Sequence, residues 1–208
     1  AMAATQFTIE NMKPQADEII KELLAKCEGD DWPSAGEKEG VKIYKKDIPG
    51  GNVKALKGTG IIEGDIEKMF EFTKQTEHIK KWDPLFKRGE IVQTLDEWTD
   101  IIHVVYSSGV PMVSNRDFVY LEARRKLEDG TYVVAVKSVV HPGAPEGKDV
   151  RGELSSCGWV LRPTEGNKVN VFYVLHLDPK GWIPKAVASG VSGDEALCVA
   201  RLRKLVAA

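Results

Sequence analysis

Between residues 40 and 177 apolar and polar positions mostly alternate, the period of strands half-buried on one face. Val41 to Asp47 sets Val41 and Ile43 against lysines, and Ile48-Pro49-Gly50-Gly51 turns the chain into a second strand over 52–62. Six more strands are predicted at about 90–95, 99–106, 117–127, 131–140, 150–162 and 168–177. The links Asp96-Glu97-Trp98, Glu128-Asp129-Gly130 and Thr164-Glu165-Gly166-Asn167 are short enough for antiparallel hairpins. Helical spacing appears elsewhere. Residues 14–27 open on Pro14, carry Ile19, Ile20, Leu23, Leu24 and Cys27 on one stripe, and stop at Gly29. Asp30 to Gly40 is expected as a surface connection. Asp65 caps a short helix bearing Ile66, Met69, Phe70 and Thr73, and Thr76 caps another through Ile79 and Trp82, halted by Pro84.

The last predicted element is the longest. From Pro184, suited to a first helical turn, Val187, Val191, Cys198, Leu202 and Leu205 recur near helical spacing to about Val206. Arg201, Arg203 and Lys204 sit where cations favour a helix C-terminus, while Gly190 and Gly193 make the first half easier to deform. Consecutive antiparallel strands without helical crossovers exclude a doubly wound fold, so the fold class is α+β in one domain, with this helix closing over the sheet. Residues 1–13 are expected as a flexible N-terminus, with Ala1-Met2 a tag remnant, and 14–208 as the domain.

Composition narrows the class. With 208 residues, 42% hydrophobic and 29% charged, the chain can bury a sizeable core or a core with a cavity. A net charge of −2 with scattered Lys and Arg gives no nucleic-acid footprint. No apolar run is long enough to span a bilayer. Cys27, Cys157 and Cys198 are few, odd in number and far apart, which fits reduced thiols and a cytoplasmic protein.

Catalytic spacing is missing. None of His78, His103, His141 and His176 has a metal-ligand partner at i, i+4, so no metal site is expected. Gly190-Val191-Ser192-Gly193 is one residue short of a nucleophile elbow and follows no strand. Gly58-Thr59-Gly60 lies within a strand and lacks the third glycine of a dinucleotide fingerprint, so a bulge or close packing is the expectation. The informative residues are polar groups in apolar strands. Ile101, His103 and Val105 share one strand face; Phe118, Tyr120 and Glu122 share one face of the next. If both faces point inward, a histidine and a carboxylate lie inside; if either is solvated, they are surface groups. The same alternation puts Arg151, Glu153, Ser155, Cys157 and Trp159 on one face, a mixture typical of a cavity wall.

Four motifs then stand in order: Lys81-Trp82-Asp83-Pro84, Ser114 through Tyr120 (Ser-Asn-Arg-Asp-Phe-Val-Tyr), Val150-Arg151-Gly152-Glu153, and Leu177-Asp178-Pro179-Lys180-Gly181-Trp182-Ile183-Pro184-Lys185. With them the chain resembles a START domain, the steroidogenic-acute-regulatory-related lipid-transfer family, over roughly residues 32–206. The resemblance implies a helix-grip fold: a curved antiparallel sheet around the C-terminal helix, enclosing a tunnel for one lipid. It implies a non-enzymatic carrier without cofactor, whose partners are one lipid (phospholipid, sterol or fatty acid) and a transiently touched membrane surface. A monomer without nucleic-acid partners is expected. The mouth would be gated by Val110, Pro111, Met112 and Val113 against Val187 to Gly193. Ile101, His103, Val105, Phe118, Tyr120, Glu122, Ser155, Cys157, Trp159, Val187 and Val191 are the expected lipid-binding residues. The arginine that precedes the Trp-Asp aspartate by one turn in phosphatidylcholine-binding members is replaced by Ile79, and that choline cage is absent. At the positions where sterol-binding members carry an acid and an arginine, this chain carries His103 and Glu122, expected as a buried pair. The alternative is the same cavity used by a cyclase-like enzyme or a ligand sensor, with Glu122 and His103 as acid or base.

Overall fold

The structure is a computed structural model, which describes residues 7–50, 53–74, 76–184 and 195–207. The chain runs α1 (Ile9–Glu28), β1 (Ser34–Lys38), β2 (Val41–Lys46), β3 (Ala55–Glu63), α2 (Ile66–Lys74), α3 (Thr76–Trp82), β4 (Phe86–Asp96) and β5 (Thr99–Tyr106). It continues through β6 (Arg116–Lys126), β7 (Tyr132–Ser138), β8 (Val150–Arg151), β9 (Glu153–Leu154), β10 (Cys157–Thr164), β11 (Lys168–Leu175) and β12 (Leu177–Asp178). A 3-10 turn, Glu195–Leu197, leads into α4 (Cys198–Ala207). Among the described residues the main sheet is ordered β1-β2-β3-β11-β10-β7-β6-β5-β4, with antiparallel neighbours along this path, and β8 pairs parallel with the start of β6.

Helices cover both faces of the sheet, which divides the core in two. On one face α1 lays Met12, Ala16, Ile19, Ile20 and Leu23 against Ile101, Val119, Leu121, Val133 and Val160. On the other, α2, α3 and α4 pack Phe70, Trp82, Val199 and Leu202 against Ile102, Val104, Phe118, Tyr120, Trp159 and Leu161. Strand alternation sorts residues between the two cores, so a one-residue change of phase moves a side chain from one to the other.

The approach of α4 to the sheet explains Gly58-Thr59-Gly60. A Cβ on Gly58 would lie 2.7 Å from the Ala196 carbonyl oxygen, and one on Gly60 would meet Gly40 O at 3.0 Å and Arg203 Nη2 at 3.2 Å. The motif is there for close packing of helix on strand. On the opposite face of β3, buried Lys57 donates from Nζ to the carbonyls of Lys26, Cys27 and Gly29 and lies over the rings of Trp32 and Tyr44. A cation there satisfies the free carbonyls and negative dipole end of α1.

Several boundaries differ from the sequence pattern. Helix α1 begins at Ile9, with Thr8 as N-cap accepting from Asn11 N, so Pro14 is inside it rather than in its first turn. Ser34–Lys38 is a strand and not a plain connection; every residue is exposed, so its edge position left no alternation to read. The predicted strand at 150–162 is broken into β8, β9 and β10. The predicted C-terminal helix is observed from Cys198, while Val187, Gly190, Val191 and Gly193 lie outside the described residues.

Candidate functional site

A cavity of about 170 Å³ lies between the sheet and the helical layer. Ile79 and Trp82 of α3, with Asp83 and Leu85 just beyond it, form one wall. Phe118, Tyr120 and Glu122 of β6, Val134 and Val136 of β7, Trp159 of β10 and Tyr173 of β11 form the facing wall. Tyr106 at the end of β5 and Ser107, Ser108 and Val113 from the β5–β6 connection also line the cavity, as do Pro179, Ile183 and Glu195. Strand alternation aims the β6 residues inward: Phe118 and Tyr120 belong to the helix-facing core, while Val119 and Leu121 face α1.

The wall is dominated by aromatic rings that fix one another. Trp159 and Tyr173 have centroids 4.6 Å apart, and Trp82 stands edge-on to Trp159 at 5.3 Å. Tyr106 meets Phe118 edge-on at 6.0 Å. Trp82 is anchored by its indole N–H donating to Phe72 O at 2.9 Å. Such clusters present rigid apolar area at little entropic cost.

Charge inside the site is acidic and mostly answered from behind. Glu122 is buried and accepts from Arg124 Nη1 at 3.0 Å; Arg124 Nη2 reaches Asp100 Oδ2 at 2.7 Å and Glu97 O at 3.1 Å. Burial pushes the Glu122 carboxyl up to about 8, against the pull of Arg124. Burial likewise raises Asp83 to about 6, opposed by a bond from Leu85 N to Oδ1 and by the nearby charge of Arg201. Arg116, also buried, donates Nε to Pro179 O at 3.1 Å, Nη1 to Ser114 O, and Nη2 to Lys180 O at 3.0 Å and Trp182 O at 3.1 Å. One guanidinium thus ties the end of the β5–β6 connection to the segment after β12. Burial holds the phenols of Tyr106, Tyr120 and Tyr173 well above their usual range, so they are neutral donors.

Of the residues expected from sequence, the structure brings Phe118, Tyr120, Glu122, Cys157, Trp159 and Val113 to the cavity. Cys157 is shared with the α1-side core. Gly158, which separates it from Trp159, has φ +132°, and a Cβ there would lie 2.0 Å from Val134 O. Ile101, His103 and Val105 do not face the cavity. The β5–β6 register pairs Ile102 with Tyr120, Val104 with Phe118 and Asp100 with Glu122, so the odd-numbered residues of β5 point to the opposite face. The expected His103–Glu122 pair is therefore corrected: His103 Nε2 lies 2.9 Å from Asp117 Oδ2 and Nδ1 lies 3.3 Å from Glu90 Oε1. Arg151 binds Asp117 from the other side and reaches Ala144 O and Pro145 O, so this cluster braces the 141–149 connection. Ser155 is exposed, because the strand is interrupted before Cys157 and the expected alternation does not run through it. Val110, Pro111 and Met112 do not line the cavity; Val110 is half-buried, Pro111 is exposed and Met112 is fully exposed with φ +64°. Val187 and Val191 lie outside the described residues.

Sequence reasoning missed Trp82, Asp83, Tyr106, Arg116, Tyr173 and Glu195 as cavity residues. It also missed Arg124 as the partner of Glu122. The i, i+2 spacing of Glu122 and Arg124 was a usable signal, since it places both on one strand face. Nothing local marked Tyr173 or Glu195.

The sequence profile of the START domain matches residues 14–206, beginning 18 residues before the motif-bearing stretch at 32. The chain belongs to the START domain family. Among relatives, it is 33% identical over 186 residues to the mitochondrial steroidogenic acute regulatory protein of Danio rerio, covering 85% of this chain and 64% of that protein. The chain therefore spans less than two thirds of that relative. It is 30% identical over 187 residues to the StAR-related lipid transfer protein 5 of Mus musculus, covering 83% of this chain and 85% of that protein. The human StAR-related lipid transfer protein 5 structure superposes with a TM-score of 0.88 at 24% identity, covering 96% of this chain and 98% of that one. That likeness shows the helix-grip fold with its large antiparallel sheet and C-terminal helix. Lipid binding and transfer are the general function of this family's fold. No helix among the described residues is long and apolar enough to cross a membrane.

Proposed function

We propose that the protein is a cytoplasmic carrier that takes one lipid from a membrane into this cavity and delivers it to another, as a monomer, without cofactor or catalysis. The observation that carries this reading is the cavity itself: an internal space walled by Trp82, Phe118, Tyr120, Trp159 and Tyr173 inside an otherwise packed domain. Packed interiors rarely keep such a space empty, and moving each CH₂ of a lipid from water into it is worth about 0.8 kcal/mol. Phe118, Tyr120, Glu122, Cys157 and Trp159 are proposed to touch the lipid.

Entry is assigned to the end where the β5–β6 connection meets the segment after β12. Val113 and Ile183 line the cavity there, while Met112 and Trp182 stand 103% and 74% exposed beside them. Both segments hang from Arg116, so their exposed apolar side chains flank one end of the site. A surface carrying such side chains suits brief contact with a bilayer interface. Fluorescent phospholipid, sterol and fatty-acid probes should move from donor to acceptor liposomes faster with the protein than without it for at least one class. Spontaneous rates for all three would end the carrier reading.

A further inference from the structure

The face around the cavity mouth carries a charge pattern of its own, and this inference rests on the carrier reading above. In α3, Ile79 and Trp82 line the cavity, while Lys80 and Lys81 between them are exposed. Lys87 and Arg88, at the start of β4, are exposed as well. Among the described residues none of these four cations has a carboxylate within ion-pair distance; Lys81 lies over the ring of Phe72. The exposed acids of the same stretch, Glu77 and Glu90, each lie against a histidine, His78 and His103. The basic stretch is joined to the β5–β6 connection that carries Met112. Ser107 N donates to Leu85 O at 2.8 Å, a Cβ on Gly109 would touch Leu85 Cδ2 at 3.3 Å, and Arg88 pairs with Val105 of β5. Behind the same end, buried Arg116 gives its N–H groups to carbonyls, so its charge is not cancelled by a carboxylate. The β12 side of the mouth is different: Lys180 sits between Asp178 at 2.8 Å and Glu153 at 3.0 Å.

We propose that the mouth docks on negatively charged membranes, with Met112 and Trp182 entering the interface and Lys80, Lys81, Lys87 and Arg88 facing anionic headgroups. Two apolar side chains bury too little area to hold a protein on a bilayer, so a second, electrostatic contribution is needed. The whole chain cannot supply it, because its net charge is −2. A local cluster can, since at physiological salt only charges within about 8 Å of the surface are felt strongly. Each lysine or arginine brought against an anionic surface strengthens partitioning by about fivefold. The cations stay at the rim, where they keep their water and pay little for desolvation. A neutral phosphatidylcholine surface offers them no net charge and should hold the mouth far more weakly.

The test is co-sedimentation of the whole protein with two kinds of vesicle, phosphatidylcholine alone and roughly 3:1 phosphatidylcholine and phosphatidylglycerol, at about 0.1 M and about 0.5 M salt. At the lower salt the protein should partition at least about tenfold more strongly onto the anionic vesicles, and the higher salt should remove most of that difference. Lys80→Gln, Lys87→Gln and Arg88→Gln together should cut the anionic partition at least about tenfold and leave the neutral one within about twofold. The control is Lys13→Gln, Lys21→Gln and Lys42→Gln, which takes the same charge from exposed positions on α1 and β2. It should change either partition by no more than about threefold. Thermal transitions check the folding of both variants, and the wild-type comparison stands without them. Equal wild-type partitioning onto both vesicles, or an equal loss in the control, overturns this proposal; transfer of a fluorescent lipid in the same samples would leave the carrier reading in place. Charge-selective binding without transfer of any probe supports the docking surface and overturns the carrier reading.

Discussion

Gly58→Ala adds one methyl group at the closest approach between the sheet and the C-terminal helical segment. Its carbon would lie 2.7 Å from the Ala196 carbonyl oxygen and 3.3 Å from both Ala196 Cα and Cβ. Ordinary contacts of this kind begin near 3.4 Å, and the obstacle is backbone, which no rotamer change can clear. The 3-10 turn must therefore retreat by about half an ångström or more, carrying Glu195 at the cavity and loosening Leu197, Val199 and Leu202 in the inner core. Overpacking a tight core costs about 1–3 kcal/mol, and rigid backbone on both sides points to the upper half of that range. For a domain of this size about 2–3 kcal/mol is a loss of roughly 4–12 °C in Tm. The assay is thermal unfolding followed by circular dichroism, with urea unfolding as a second measure. Ala196→Gly should not rescue the variant, because the offending oxygen remains and a buried methyl is lost. A Tm within 1 °C of wild type in Gly58→Ala would refute the claim that this glycine is required by helix–strand proximity.

Three other outcomes follow from the same geometry. The folded Glu122 carboxyl sits near 8 against 4.5 when unfolded, so its proton favours the fold at low pH and that stability fades as pH rises through 8; between pH 6.5 and 8.5 wild type should lose about 2 kcal/mol that Glu122→Gln does not, read by urea unfolding at each pH. Arg116→Met leaves the carbonyls of Ser114, Pro179, Lys180 and Trp182 without their donor; stability should fall by about 3–5 kcal/mol, and trypsin should cut after Lys180 much faster than in wild type. Met112→Asp alters a fully exposed side chain, so stability should hold within about 0.5 kcal/mol while liposome co-sedimentation and transfer rate both drop; unchanged transfer would remove the β5–β6 connection from membrane contact.

Much of the fold was legible in local pattern. Strand periodicity placed β2, β3, β5, β6, β7 and β11, and short polar links marked the hairpins, because period-2 burial and turn chemistry are written within a few residues of one another. The stripe of Ile19, Ile20 and Leu23 marked α1, and Gly58-Thr59-Gly60 was read as a bulge or close packing, between which the approach of Ala196 decided for packing. Family membership rested on four motifs in order, and one of them, around Arg116, proved to hold together two distant segments at the site.

Register and face are different in kind. Alternation grouped Phe118, Tyr120 and Glu122 on one face and Ile101, His103 and Val105 on another, but it carried no information on whether the two faces coincide. Only the β5–β6 pairing, Ile102 opposite Tyr120, decided that Glu122 lies at the cavity while His103 lies behind it with Asp117. The same holds for the charges: Arg124, Asp100 and Glu122 become one cluster because two strands are paired, and Asp83 shares a cavity with Tyr106 and Tyr173 because α3 sets Trp82 against Tyr173 of β11. Periodicity along a chain reports which residues share an environment; which environment that is depends on contacts between residues tens of positions apart, and those exist only once the sheet has closed around its helix.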